Sequence, residues 1–139
     1  MARPRYQVLA HTADAGIVAY GATMAEVFEN AALGMFELMF GPGRAEPTQE
    51  CRVVATGEGG EELLVAWLSA LLTEAEIRGL ALSAFTVEVV GAAGVRGRAA
   101  GVPAAGLELR GPPLKAVTYH QASVEETPQG WVARVIFDV

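Results

Sequence analysis

Two histidines, two aspartates and a lysine sit where apolar segments begin or end, and they are the groups in this chain best placed to do chemistry. His11-Thr12-Ala13-Asp14 sets an imidazole three residues ahead of a carboxylate, between the apolar stretches Arg5 to Leu9 and Gly16 to Tyr20. Such an imidazole can be a ligand, a general base or a hydrogen-bonded turn group. Asp14 suits an Asx turn or a cap on the following strand, and it suits a ligand as well. The second histidine closes Lys115-Ala116-Val117-Thr118-Tyr119-His120, and Phe137-Asp138-Val139 ends another apolar run on a carboxylate. Taken alone, Asp138 reads equally as a solvated chain end. Lys115 can meet a phosphate or pair with a nearby carboxylate. These groups lie far apart along the chain but all at strand ends, and the expectation is that the ends meet.

The elements that must position them follow from pattern. Arg5 to Leu9 and Gly16 to Tyr20 read as short strands joined through the His-Thr-Ala-Asp turn. Thr23-Met24-Ala25-Glu26 is a capping box, and Met24, Val27, Phe28, Ala31, Met35, Leu38 and Met39 recur at helical spacing until Gly41-Pro42-Gly43. That stripe is a packing face. Cys51 to Thr56 is a third strand, and a second helix starts after Gly59-Gly60 with Leu63, Leu64, Trp67, Leu68, Leu71 and Leu72 on a wide apolar face, to be capped by Gly79. Trp67 falls in register with the leucines and reads as a core anchor. Leu80 to Ser83 and Phe85 to Val90 read as extended, with Val95 to Ala99 as a partner. The Gly-, Pro- and Ala-rich run 99–113 reads as a loop with a short strand near Leu107-Glu108-Leu109. Lys115 to Glu125 alternates as a strand that puts Thr118 and His120 on one face. The five-residue turn 126–130 then leads into Trp131 to Phe137, with Trp131, Ala133, Val135 and Phe137 on one side. The fold class is α/β or α+β: a mostly antiparallel sheet covered by two helices.

Composition narrows the function. A chain of 139 residues holds one domain with a real core and is too short for two ordinary ones. It is 52% hydrophobic and 19% charged, and no apolar run approaches the roughly 20 residues of a membrane span, so no membrane role is expected. The Arg3-Pro4-Arg5 start is followed by an alternating segment in place of a signal core. Cys51 is the lone cysteine and reads as a packed, inert thiol; a reducing cytoplasm is the default location. The net charge is −6 with basic residues scattered, which disfavours direct binding of nucleic acid and leaves docking onto a basic partner open.

Taken together, His11-Thr12-Ala13-Asp14, Gly21-Ala22-Thr23 with Phe28, Leu63 to Leu68, Lys115 to His120 and Phe137-Asp138-Val139 resemble the archease family in order and spacing over nearly the whole chain. One stretch departs: where archease-like chains carry a Gly-Glu pair, this one reads Gly101-Val102-Pro103. The resemblance implies a single archease-like domain and a protein cofactor in place of a stand-alone enzyme. Archeases assist the RtcB-type RNA ligase of tRNA splicing, promoting its guanylylation and multiple turnovers, so RNA is met only through the ligase. It also implies a metal site, commonly calcium, formed by Asp14, Asp138 and a main-chain or terminal oxygen of Val139. His11, Thr12, Lys115, Thr118 and His120 then stand around the site or face the partner. Two carboxylates plus backbone oxygen are hard donors suited to Ca²⁺, Mg²⁺ or Mn²⁺. Two other functions compete: a small metal-dependent hydrolase using His11 or His120, and a chaperone-like interaction module.

Overall fold

The computed structural model describes residues 3–9, 14–43, 45–92 and 94–139. Its elements run β1 (Tyr6–Val8), β2 (Ala15–Gly21), α1 (Met24–Phe40), β3 (Gln49–Thr56), α2 (Gly60–Arg78), β4 (Leu80–Val90), β5 (Gly94–Pro103), β6 (Ala116–Thr127) and β7 (Gly130–Asp138). Every strand pairing is antiparallel, as expected, but the strands divide into two sheets, β1-β2-β7-β6 and β3-β5-β4. The architecture is α+β. No described helix is long and apolar enough to cross a membrane.

The helices lie between the sheets. α1 packs on β1, β2 and β7 of the first sheet and on β4 of the second, while α2 packs on β6 of the first and on β3, β4 and β5 of the second. A helix touched from both sides should be apolar around most of its circumference, not along one stripe. Within α1 only Glu26 is exposed, and α2 is exposed chiefly at its two ends. Leu63, Leu64, Trp67, Leu68 and Leu71 join Val27, Phe28, Met35 and Phe36 in one core cluster. The Trp67 indole N–H donates to the Phe28 carbonyl at 3.2 Å and so ties the helices together.

Local signals set the helix ends. The Thr23 hydroxyl accepts from the Glu26 N–H at 3.1 Å. The Glu26 carboxylate reaches back to the N–H of Ala22, one residue before the cap and not at it. Gly41, at φ 79°, donates to the Glu37 carbonyl, and Gly79 caps α2 in the left-handed conformation.

Several expected boundaries move. Leu80 to Val90 is one strand, interrupted by bulges after Leu82 and Val87. β5 continues to Pro103, well into the stretch read as a loop, and no strand forms at 107–109; there the chain is tied down when the Arg110 N–H donates to the Met39 carbonyl at 2.7 Å, at the C-terminal end of α1. The turn before β7 is tighter than five residues, since Thr127 pairs with Gly130 and the Thr127 hydroxyl donates to the Gly130 carbonyl.

Candidate functional site

The strand order places the N- and C-terminal segments side by side. β2 pairs with β7 in a register that sets Ala15 opposite Phe137 and Gly16 opposite Ile136. The pairing ends there: Asp14 precedes Ala15 and Asp138 follows Phe137, and both residues are exposed. On the other side of β7, Ala116 pairs with Asp138, and the Lys115 N–H donates to the Asp138 carbonyl at 2.8 Å. The end of β7 at Asp138 is thus flanked by the starts of both neighbouring strands, with Asp14 just before β2 and Lys115 just before β6.

Packing fixes this corner from beneath. Phe137 is fully buried under Asp138. On the outer face Ile136 is only 3% exposed, because Gly16 lets Ile136 and Leu9 close over it: a Cβ at Gly16 would stand 2.7 Å from Ile136 Cδ1 and 3.0 Å from Leu9 Cδ1. The Thr118 hydroxyl donates to the Ile136 carbonyl at 3.0 Å, so Thr118 serves by holding the end of β7 in place. Val139 follows Asp138 and is exposed. His11 and Thr12 lie outside the described residues.

His120 is exposed, but the alternation expected to put it on one face with Thr118 does not carry through. Pairing runs Thr118 to Ile136 and then Ser123 to Arg134, with a bulge between. Lys115 makes no ion pair among the described residues. It lines, with Ala116 and Val117, a cavity of about 720 Å³ whose apolar wall includes Phe36, Met39 and Leu72. Nothing in the sequence marked this cavity, which exists only because the ends of α1, α2 and β6 stand apart.

The donor set fits a hard cation in type and is small in number. Among the described residues no group of three or more His, Cys, Asp or Glu side chains is placed to hold a metal. Any further ligands would be main-chain oxygen and water. Cys51 takes no part: it is buried, and burial pushes its thiol up, away from the reactive thiolate.

Residues 6–139 match the model of the Archease protein family (MTH1598/TM1083). The chain belongs to the archease family. A protein archease of Methanosarcina acetivorans is 37% identical over 143 residues, covering 97% of this chain and 96% of its own. The archease of Pyrococcus furiosus is 36% identical, covering 93% and 94%. Among solved archease-fold structures, protein 1598 of Methanobacterium thermoautotrophicum superposes with a TM-score of 0.85 at 36% identity, covering 97% of this chain and 99% of that one. A Thermotoga maritima archease described as a possible chaperone shares the fold at a TM-score of 0.65 and 19% identity, covering 100% and 98%.

Proposed function

We propose that this archease-family chain is a metal-binding accessory protein that activates an RtcB-type RNA ligase in tRNA splicing, promoting guanylylation of the ligase and its multiple turnover. It is not itself the enzyme. The observation that supports the reading is the β2–β7 pairing up to Ala15 and Phe137, the chain neighbours of Asp14 and Asp138, in a chain that matches the archease model from residue 6 to residue 139. Asp14, Asp138 and a main-chain oxygen of Val139 would hold a divalent ion, calcium by preference, with magnesium or manganese also suited to the donors. When bound, that ion supplies positive charge and open coordination positions toward a phosphate.

The chain's own residues supply the rest. Lys115, whose N–H donates to the Asp138 carbonyl, would offer a cationic side chain toward a phosphate. Thr118 keeps the strand that carries Asp138 from fraying. RNA is reached only through the ligase, in keeping with a net charge of −6, and the single buried thiol suits a reducing cytoplasm.

The test combines the purified chain with an RtcB-type ligase, GTP, calcium and tRNA halves. Faster guanylylation of the ligase and more than one joining event per ligase are expected, and Asp14→Asn should remove the acceleration. Turnover of substrate without the ligase would make the chain an enzyme. Acceleration that survives Asp14→Asn would leave a docking module of the chaperone-like kind.

A further inference from the structure

Strand β6 does not follow β7 evenly. Between the pairs Thr118–Ile136 and Ser123–Arg134, the four residues Tyr119, His120, Gln121 and Ala122 stand against Val135 alone. Inside that bulge Gln121 has a φ of 56°, and among the described residues no other non-glycine residue has a positive φ. A side chain in the left-handed region crowds its own carbonyl, so such a residue persists only where its surroundings hold it. Here the holder is visible: Arg134 Nη2 donates to Gln121 Oε1 at 3.2 Å. The same arginine keeps its Nε buried without a hydrogen-bond partner. Two local costs thus fall on one bulge, and bulges of this kind re-aim side chains beside functional sites.

What the bulge re-aims is a tyrosine. Tyr119 is 63% exposed, and His120 and Gln121 are exposed beside it, on the edge strand of the first sheet. Thr118, next in the chain, bonds to Ile136, which lies two residues before Asp138. The bulge therefore borders the carboxylate corner. A ring held outward on a stiff backbone is the side chain that most often anchors a protein interface, because little freedom is lost when it is buried. A phosphodiester chain is the poorer occupant, since Asp14 and Asp138 are close by and the whole chain carries a charge of −6.

We propose that the bulge 119–122 is a docking knuckle for a protein. In this account Tyr119 enters an apolar pocket of the ligase whose rim is cationic, and the Arg134–Gln121 bond fixes the backbone that presents the ring. This rests on the functional reading above and names the surface through which it acts.

The test is equilibrium binding of the intact chain to the purified RtcB-type ligase by biolayer interferometry, with melting curves alongside. Tyr119→Ala should weaken binding about tenfold or more and leave the melting temperature unchanged, because the ring is exposed. Gln121→Gly, which loses the Arg134 bond and frees the backbone, should weaken binding as well, and Gln121→Val, which loses the bond and also resists positive φ, should weaken it at least as much. Should Gln121→Val fail to fold, the Tyr119→Ala and Gln121→Gly pair still decides. Wild-type affinity in Tyr119→Ala overturns the knuckle and leaves the functional reading standing. A loss of affinity for tRNA halves but not for the ligase overturns it in favour of a base-stacking role. A wild-type chain that does not bind the ligase at all overturns both. Loss of binding in Tyr119→Ala, together with acceleration that survives Asp14→Asn, supports the knuckle and defeats the metal assignment.

Discussion

Asp14 and Asp138 are the only aspartates in the chain, and they follow directly on the last pair of β2 and β7, Ala15 with Phe137. In the proposed function these two carboxylates hold one cation. Another residue-scale contact makes a separate test. The Tyr6 hydroxyl donates to Glu37 at 2.5 Å, and burial, then that bond and the charge of Glu37, push its phenol up to about 12 from 10.0. The native chain holds a proton that the unfolded chain releases, so the stabilisation is full below pH 10 and is lost as pH rises through about 12. Melting temperatures of wild type and Tyr6→Phe should therefore differ most near neutrality and converge toward pH 12; curves that stay parallel would contradict this.

At the scale of elements, β5 shows how packing overrides local signals. Gly101 falls in the run read as a loop, yet a Cβ there would collide with the Ala81 carbonyl; Gly97 lies under the second helix, where a Cβ would collide with the Thr86 carbonyl oxygen and stand 2.9 Å from the Trp67 ring. Gly97→Ala should destabilise the chain by about 1–3 kcal/mol in urea unfolding, while Gly91→Ala, with open space around it, should not. Equal midpoints for the two variants would count against this packing. The helices, their caps and the inward face of β7 were legible because each depends on residues close in sequence, such as Thr23 with Glu26 or Ala133 with Val135. The extent of β5 was not legible, because Gly101 answers to the Ala81 and Leu82 backbone of the neighbouring strand. Pro103 is tolerated at the end of β5 because the pairing with β3 stops at Gly101, opposite Gln49. The bulge in β6 was hidden for a related reason: its cause, Arg134, sits on the partner strand. At the site, the pairing of the strand after Asp14 with the strand before Asp138 could be anticipated because both strands are readable. The cavity beside Lys115 could not, since it arises from the spacing of three elements.

At the scale of the molecule, two helices held between two sheets leave little of either helix to meet a partner. Contacts are thus left to the outer sheet faces, the edges and the loop ends. The first sheet gathers the two aspartates, Lys115 and the Tyr119 bulge toward one region, and the net charge of −6 favours approach to a basic surface. The whole account stands on the two aspartates sharing one ion. Calcium titration by calorimetry of the wild type, Asp14→Asn, Asp138→Asn and the double variant tests this most directly. Each single variant should lose most of the binding and the double variant should be no worse than either, because both changes break one site. Wild-type calcium affinity in either single variant, or no calcium binding by the wild type, would contradict it.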